Sequence, residues 1–359
     1  MSNLLNTRIT ELLGCRYPVI QTAMGWVADP NLVAGTGNAG GFGFLAGATI
    51  PPAQMEADIL KVKSLTDANF GVNFHMYQPN AVEIVDLVIK HKVKAVSYSR
   101  SPGKDMVAKL KDAGVVCMPT VGLPKHAIKA VEMGADAVTV QGGEGGGHTG
   151  SVPTTLLLPQ VVDAVGAQVP VLGAGGFKDG RGLVAAMAFG ADGIAMGTRF
   201  LLTKESPVPD ATKQRYLDCK NPAEIIVSQA LDGIQQRMIL NRFLGELERA
   251  GNLKKLVIAL RNGLAFRKFT GASIFGLLKS ALAMSKDGDL TPAQAIMSAN
   301  APMIIQKAMV DGRPDDGVLP SGQVAGVIDQ LLSCEELISG LVAEAEAQLQ
   351  RLCTQGANQ

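Results

Sequence analysis

His148 lies inside QGGEGGGHTG, residues 141–150, where six of the ten residues are glycine. An imidazole titrates near neutral pH. One histidine in a loop of bare backbone therefore suits proton transfer or a hydrogen bond to a developing charge. The alternative is a mobile surface loop with an incidental histidine. Gly145, Gly147 and Gly150 formally match Gly-x-Gly-x-x-Gly. A dinucleotide fingerprint belongs on an early βαβ unit with an acid about twenty residues later, so this late match is discounted. Of the other histidines, His75 follows an apolar run and is a second candidate to line a site. His91 and His126 fall in helical stretches and read as surface or packing residues.

Two further glycine pairs carry a different chemistry. Gly175-Gly176 and Gly197-Thr198 each follow a short apolar run. Glycine lets backbone N–H groups approach phosphate oxygens closely. Taken singly, such glycines could merely make tight turns. As the seventh and eighth strand ends of a barrel, they stand where barrels place a phosphate site. Other chemistries find little support. GxxxxGK[ST], HExxH and GxSxG are absent, and no metal-ligand cluster is evident. Cys15, Cys117, Cys219, Cys334 and Cys353 form no CxxC pair, and their contexts mark no nucleophile.

The elements that must position these groups alternate regularly. Eight short apolar runs read as buried parallel strands, at 18–24, 42–46, 70–76, 95–99, 115–120, 137–141, 169–174 and 193–196. Amphipathic stretches separate them, for example 55–64, 81–91, 104–112, 125–133 and 183–189. Eight β-then-α units predict an α/β fold, a TIM (β/α)8 barrel, with a doubly wound open sheet as the runner-up. The texture then changes. Residues 206–314 read as a mostly helical cap or substrate domain inserted into the barrel. Residues 1–205 and 315–345 form the barrel, and 346–359 a C-terminal tail. No acid occurs between Glu248 and Asp287. From 249 to 286 the bases are Arg249, Lys254, Lys255, Arg261, Arg267, Lys268, Lys279 and Lys286. An ordinary solvated face would also account for them.

Composition removes whole classes. The 359 residues are 47% apolar and 18% charged, the reverse of a disordered chain. With 33 bases against 32 acids the net charge is +1, too small for a global field that holds nucleic acid. Aromatics are only 4%, which leaves no platform for stacking single strands. Asn6, Arg8, Glu11 and Arg16 interrupt the N-terminal stretch, unlike a signal peptide. No apolar run reaches membrane-spanning length. A cytoplasmic protein with reduced thiols and no membrane partner is expected.

A phosphate cradle, apolar strand ends and one histidine suggest a phosphorylated organic cofactor that does the hard chemistry. FMN fits best, having one phosphate and a flat ring that needs small residues beside it. A sugar-phosphate substrate is the competitor. It would call for a lysine or a carboxylate pair at the strand ends, and neither is present.

QTAMGW, FGVNFH, GGEGGGHTG, GAGGFKDGRG and AMGTRFL, in that order, resemble the nitronate monooxygenase family, formerly the 2-nitropropane dioxygenases. That family includes flavin-dependent enoyl-ACP reductases and NADH:quinone reductases. The resemblance covers nearly the whole chain and implies an FMN-binding TIM barrel with a helical cap. It implies that Ala23, Met24 and Gly25 touch the isoalloxazine ring, that Asn73, His75 and Met118 border it, and that Gln141 meets the flavin or its ribityl chain. It brings Gly146 and Gly147 near the ring, and gives the phosphate to Gly175, Gly176, Gly197 and Thr198. His148 matches the active-site histidine. Gln323, in PSGQVAG, matches a glutamine that approaches the flavin.

TTLLLP, TRFLLT, VDG and VLPSGQVAGVID resemble one branch more closely, which acts on CoA thioesters of the C and D rings in steroid degradation. In that light Lys254, Lys255, Arg261, Arg267 and Lys268 become candidates for the CoA phosphates. The expectation is hydride transfer between FMN and a C=C/C–C bond of a bulky cyclic CoA thioester. NAD(P)H is a candidate electron donor and a homodimer a candidate assembly. Oxidation of alkyl nitronates by O2 is the alternative. A non-catalytic acyl-CoA binding module is the alternative from another class.

Overall fold

The computed structural model of the chain describes residues 4–48, 50–75, 78, 80–99, 102–251 and 301–357. The eight apolar runs become strands β1 (Val19–Gln21), β2 (Phe42–Ala46), β3 (Gly71–His75), β4 (Ala95–Ser99), β5 (Val116–Val121), β6 (Val138–Gln141), β8 (Val171–Ala174) and β9 (Gly193–Met196). The two-residue strand β7 (Gly147–His148) stands apart from them. The eight pair in parallel and close on themselves, with Ile20 of β1 level with Ala195 of β9. Every residue of β2, β8 and β9 is buried, as expected for strands covered on both faces. The closed order excludes the open doubly wound sheet.

Helices α1 (Arg8–Leu13), α2 (Pro30–Asn38), α3 (Pro52–Leu65), α4 (Ala81–Lys90), α5 (Lys104–Asp112), α6 (Pro124–Glu132), α7 (Thr154–Val165) and α8 (Gly180–Ala188) alternate with the strands. Proline, whose fixed φ suits a first helical position, opens α2, α3 and α6. The Asp29 and Asp179 side chains accept from Leu32 N–H and Gly182 N–H to cap α2 and α8.

The barrel interior is filled by Ile20, Phe42, Phe44, Ala95, Val116, Met118, Leu172 and Ala195, joined by Ile9 and Leu13 of α1. Arg8 grips Asp192, just before β9, through Nε and Nη2 at 2.8 and 2.7 Å. With α1 lodged at the N-terminal end of the strands, the opposite rim is left to host a site.

Beyond β9 come α9 (Thr198–Leu201), α10 (Asp210–Leu217), β10 (Ile225–Ser228), β11 (Gln236–Ile239), α11 (Arg242–Arg249), α12 (Ala301–Met309), β12 (Leu319–Pro320) and α13 (Cys334–Ala357). Within 206–314 the described helices are accompanied by one short strand pair. β10 and β11 form an antiparallel hairpin, with Ile225 opposite Ile239, and β12 extends its sheet. β7 pairs with the other part of β11, setting Gln236 opposite His148. This small sheet ties the glycine-rich loop to the segment above the barrel.

α13 runs unbroken through the range read as a tail and packs against α8 and α2. Gly180 makes that approach possible. A Cβ there would lie 2.3 Å from Ala345 N and Leu341 O. Among the described residues no helix is long and apolar enough to cross a membrane.

Candidate active site

The C-terminal ends of the strands surround a cavity of about 570 Å³, within the usual range for a bound cofactor. Its floor is apolar or small: Ile20, Phe44, Ala174 and Ala195, with the hydroxyls of Thr120 and Thr139. Ala301, Pro302, Ile305 and Met309 of α12 line it as well.

Most residues singled out in the sequence meet in this cavity. Ala23, Met24 and Gly25 follow β1, and Asn73 and His75 come from β3. Gln141 ends β6, and Gly146, Gly147 and His148 follow it. Gly175, Gly176, Gly197 and Thr198 complete the set. A Cβ on Gly25 or Gly147 would meet nothing within 4 Å, so both stretches of main chain border open space.

Met118 and Gln323 lie elsewhere. Met118 is buried in the barrel interior, and Thr120, two residues further along β5, lines the cavity instead. Gln323 is exposed. Its N–H donates to Glu144 O while its neighbours Gly322 and Val324 line the cavity. Lys254, Lys255, Arg261, Arg267 and Lys268 lie outside the described residues.

The donors fit a phosphate-bearing group. Gly175 and Gly176 have φ of +100° and +83°, values that side chains disfavour, so the strand-end turn requires glycine. Thr198 Oγ1 accepts from Gly322 N–H at 2.9 Å, which leaves its own proton free to donate to an anion. The nearby Glu144 carboxylate is turned away. Its Oε2 accepts from Thr154 N–H at 2.9 Å and Thr154 Oγ1–H at 2.7 Å, at the start of α7.

The strand ends hold polar pairs. Asn73 Nδ2 donates to Ser97 O and Oγ, each at 3.1 Å. His75 Nδ1 and Ser99 Oγ are 3.1 Å apart. Trp26, the single tryptophan, lines the cavity with φ +67°. A left-handed conformation outside glycine costs about 1–3 kcal/mol and persists only where the surroundings hold it. Here the indole Nε1–H donates to Pro302 O at 3.1 Å.

His148, the acid–base candidate, is held at both its main chain and its ring. Gln141 Nε2 donates to its carbonyl at 2.8 Å, which fixes the backbone. Its ring Nε2 lies 2.8 Å from Asp232 Oδ2. The imidazole is 57% exposed toward the cavity, whereas the carboxylate is 1% exposed. Asp232 Oδ1 accepts from Ile234 N–H at 3.0 Å, and Oδ2 from Gln236 Nε2 at 2.5 Å. Arg237, next along β11, donates through Nε and Nη2 to Gly143 O at 3.0 and 2.7 Å. Burial lowers its guanidinium from the ordinary value.

Asp232, Gln236 and Arg237 did not emerge from the sequence. The available signal was Asp232-Gly233 between two four-residue runs, a turn pattern typical of hairpins.

The buried cysteines Cys117 and Cys334 are no rivals for the chemistry. Burial raises the Cys117 and Cys334 thiols to about 12, far from the thiolate a nucleophile needs. No group of metal-binding side chains occurs among the described residues.

The chain resembles known proteins over almost its full length. It is 51% identical over 341 residues to the (3aS,4S,5R,7aS)-5-hydroxy-7a-methyl-1-oxo-octahydro-1H-indene-4-carboxyl-CoA dehydrogenase of Rhodococcus jostii (strain RHA1), covering 95% of this chain and 96% of that protein. The dehydrogenase of the same description from Mycobacterium tuberculosis is 47% identical over 347 residues, covering 96% and 98%. Among solved structures, FabK from Thermotoga maritima superposes with a TM-score of 0.80 at 27% identity, over 98% of this chain and 99% of FabK. Residues 6–344 match the family described as nitronate monooxygenase. The barrel, its histidine-bearing rim and this match lead to one conclusion: the chain belongs to the nitronate monooxygenase family and is an oxidoreductase.

Proposed function

We propose that the protein is an FMN-dependent oxidoreductase acting on a carbon–carbon bond of a bulky, fused-ring CoA thioester. The observation that carries this reading is the His148–Asp232 pair, 2.8 Å apart, on the wall of a cavity whose floor is apolar. A carbon next to a thioester carbonyl is acidic enough for an imidazole to remove its proton. An alkyl nitronate is already deprotonated and needs no such base. The two bacterial dehydrogenases, both described as acting on a hydroxy-methyl-oxo-octahydroindene carboxyl-CoA, support the same substrate class.

In this reading Gly175, Gly176, Gly197 and Thr198 hold the FMN phosphate. Ala23, Met24, Gly25, Gly146 and Gly147 lie beside the ring, and Asn73, His75 and Gln141 present polar groups to it. FMN supplies a two-electron acceptor or donor. His148 takes the proton from the substrate, and α12 with Trp26 shields the site from water. Residues 1–205 and 315–345 make the barrel and 206–314 the substrate domain. Lys254, Lys255, Arg261, Arg267 and Lys268 carry the charge that suits CoA phosphates. NAD(P)H is the electron donor if the reaction runs reductively, and the assembly is a homodimer.

The test is mass spectrometry of the cofactor released by denaturation, followed by turnover of a fused-ring acyl-CoA against its free acid. FMN and a strong preference for the thioester are expected. A protein purified without flavin, or one indifferent to CoA, contradicts the proposal.

A further inference from the structure

We propose that Asp232 is a positioning residue that, with Gln236, holds His148 with its proton on Nε2 and leaves Nδ1 as the proton-accepting atom. The inference rests on the thioester reading above and assigns the atom of His148 that meets the substrate.

Three donors converge on one buried carboxylate. Ile234 N–H occupies Oδ1, while Gln236 Nε2 and His148 Nε2 both reach Oδ2, at 2.5 and 2.8 Å. A carboxylate only accepts. The facing atoms of Gln236 and His148 must therefore both carry hydrogen, which fixes the glutamine amide orientation and the histidine tautomer together. The two nitrogens are 3.2 Å apart because both point at Oδ2, not because one donates to the other. An unprotonated Nε2 would set its lone pair against the carboxylate oxygen.

The backbone enforces the arrangement. Gln236 is the cross-strand partner of His148 in the β7–β11 pairing, so their side chains are neighbours by register. At 1% exposure Asp232 is shielded from water, and its hydrogen bonds are not exchanged for solvent. Nδ1 has no hydrogen-bond partner among the described residues, and the ring borders the cavity.

The chemistry follows from the tautomer. A C–H bond beside the thioester carbonyl breaks heterolytically. Its proton goes to Nδ1, and its electron pair is delocalised onto the carbonyl oxygen as an enolate. The ring then carries hydrogen on both nitrogens, and Asp232 faces the positive charge. The site is thereby poised to remove a proton from carbon rather than to deliver one.

The test is long-range 1H–15N correlation of the resting flavoprotein labelled with 15N-histidine. Four histidines give a tractable spectrum, and His148→Gln assigns the signal. The expected pattern for His148 is protonated Nε2 and bare Nδ1, lost in Asp232→Asn and restored in Asp232→Glu. Asp232→Asn should also lose about 10²-fold or more in kcat, with KM for the acyl-CoA within about threefold and flavin absorbance retained. Protonated Nδ1 in the wild type overturns the proposal without recourse to any variant. So does an Asp232→Asn protein with near-normal kcat. The spectrum needs no substrate. The stated tautomer in a protein that ignores acyl-CoA would sink the substrate reading and not the assignment of Asp232.

Discussion

His148 and Gln236 face each other across the antiparallel pairing of β7 with β11, and both side chains reach the same oxygen of Asp232. A strand from the segment above the barrel thus sets the orientation of the His148 imidazole on the barrel rim. Site geometry here depends on the sheet joining the two parts, and several measurements can probe that dependence.

Replacing His148 with alanine removes the imidazole without touching the strand-end turn at Gly175 and Gly176. The expected variant stays yellow and loses about 10²–10⁴-fold in kcat. Visible absorbance and steady-state kinetics on one preparation check both halves. Loss of flavin would make His148 a structural residue.

Arg237 pins the glycine-rich loop through two hydrogen bonds to Gly143 O. Arg237→Ala should cost about 1.5–3 kcal/mol of stability, the range for bonds with a charged partner. Because that loop carries His148, kcat should fall more than KM rises. Urea unfolding and kinetics of the same variant test this. Unchanged kcat would show that the loop holds its shape without the clamp.

Trp26 is the sole tryptophan and lines the cavity. Its emission should be quenched when FMN is added back to protein stripped of flavin, with the same concentration dependence as recovery of activity. Emission that ignores FMN would place the flavin elsewhere.

Gly180 lets α8 approach α13, and an added Cβ would sit 2.3 Å from backbone atoms. Gly180→Ala should destabilise by about 1–3 kcal/mol through overpacking. Flavin content should stay unchanged, since the contact lies outside the cavity. A shift in the urea midpoint at constant slope is the expected signature.

The buried thiols give a pH dependence with a defined sign. Burial holds Cys334 protonated until about 12, whereas an unfolded thiol titrates near 9.0. Between these values the unfolded chain binds fewer protons than the folded one, so stability falls as pH rises. One such group contributes a slope of about 1.4 kcal/mol per pH unit. In Cys334→Ala the alkaline loss of stability should be shallower by about that amount. Equal slopes would mean the thiol is accessible in the folded protein.

The barrel was legible because strands buried on both faces appear as unbroken apolar runs. Phe42–Ala46 and Gly193–Met196 match their runs to the residue. The strand-end turn at Gly175 and Gly176 was legible because its positive φ values favour glycine. Depth along a strand was not. Met118 and Thr120 lie on one face of β5, and only packing decides that Met118 fills the interior while Thr120 reaches the rim. The β10–β11 hairpin escaped because its strands have four residues each, too few to show a period. Asp232 escaped for another reason: its partner His148 is 84 residues away in sequence, and nothing local marks the pair.

The central claim is a flavin seated beside His148 that exchanges electrons with a CoA thioester. Anaerobic addition of a fused-ring acyl-CoA to the oxidised protein, followed at the visible flavin band, tests it most directly. The band should bleach with the acyl-CoA and recover when air is admitted. A band that persists with the acyl-CoA but bleaches rapidly with an alkyl nitronate would contradict it.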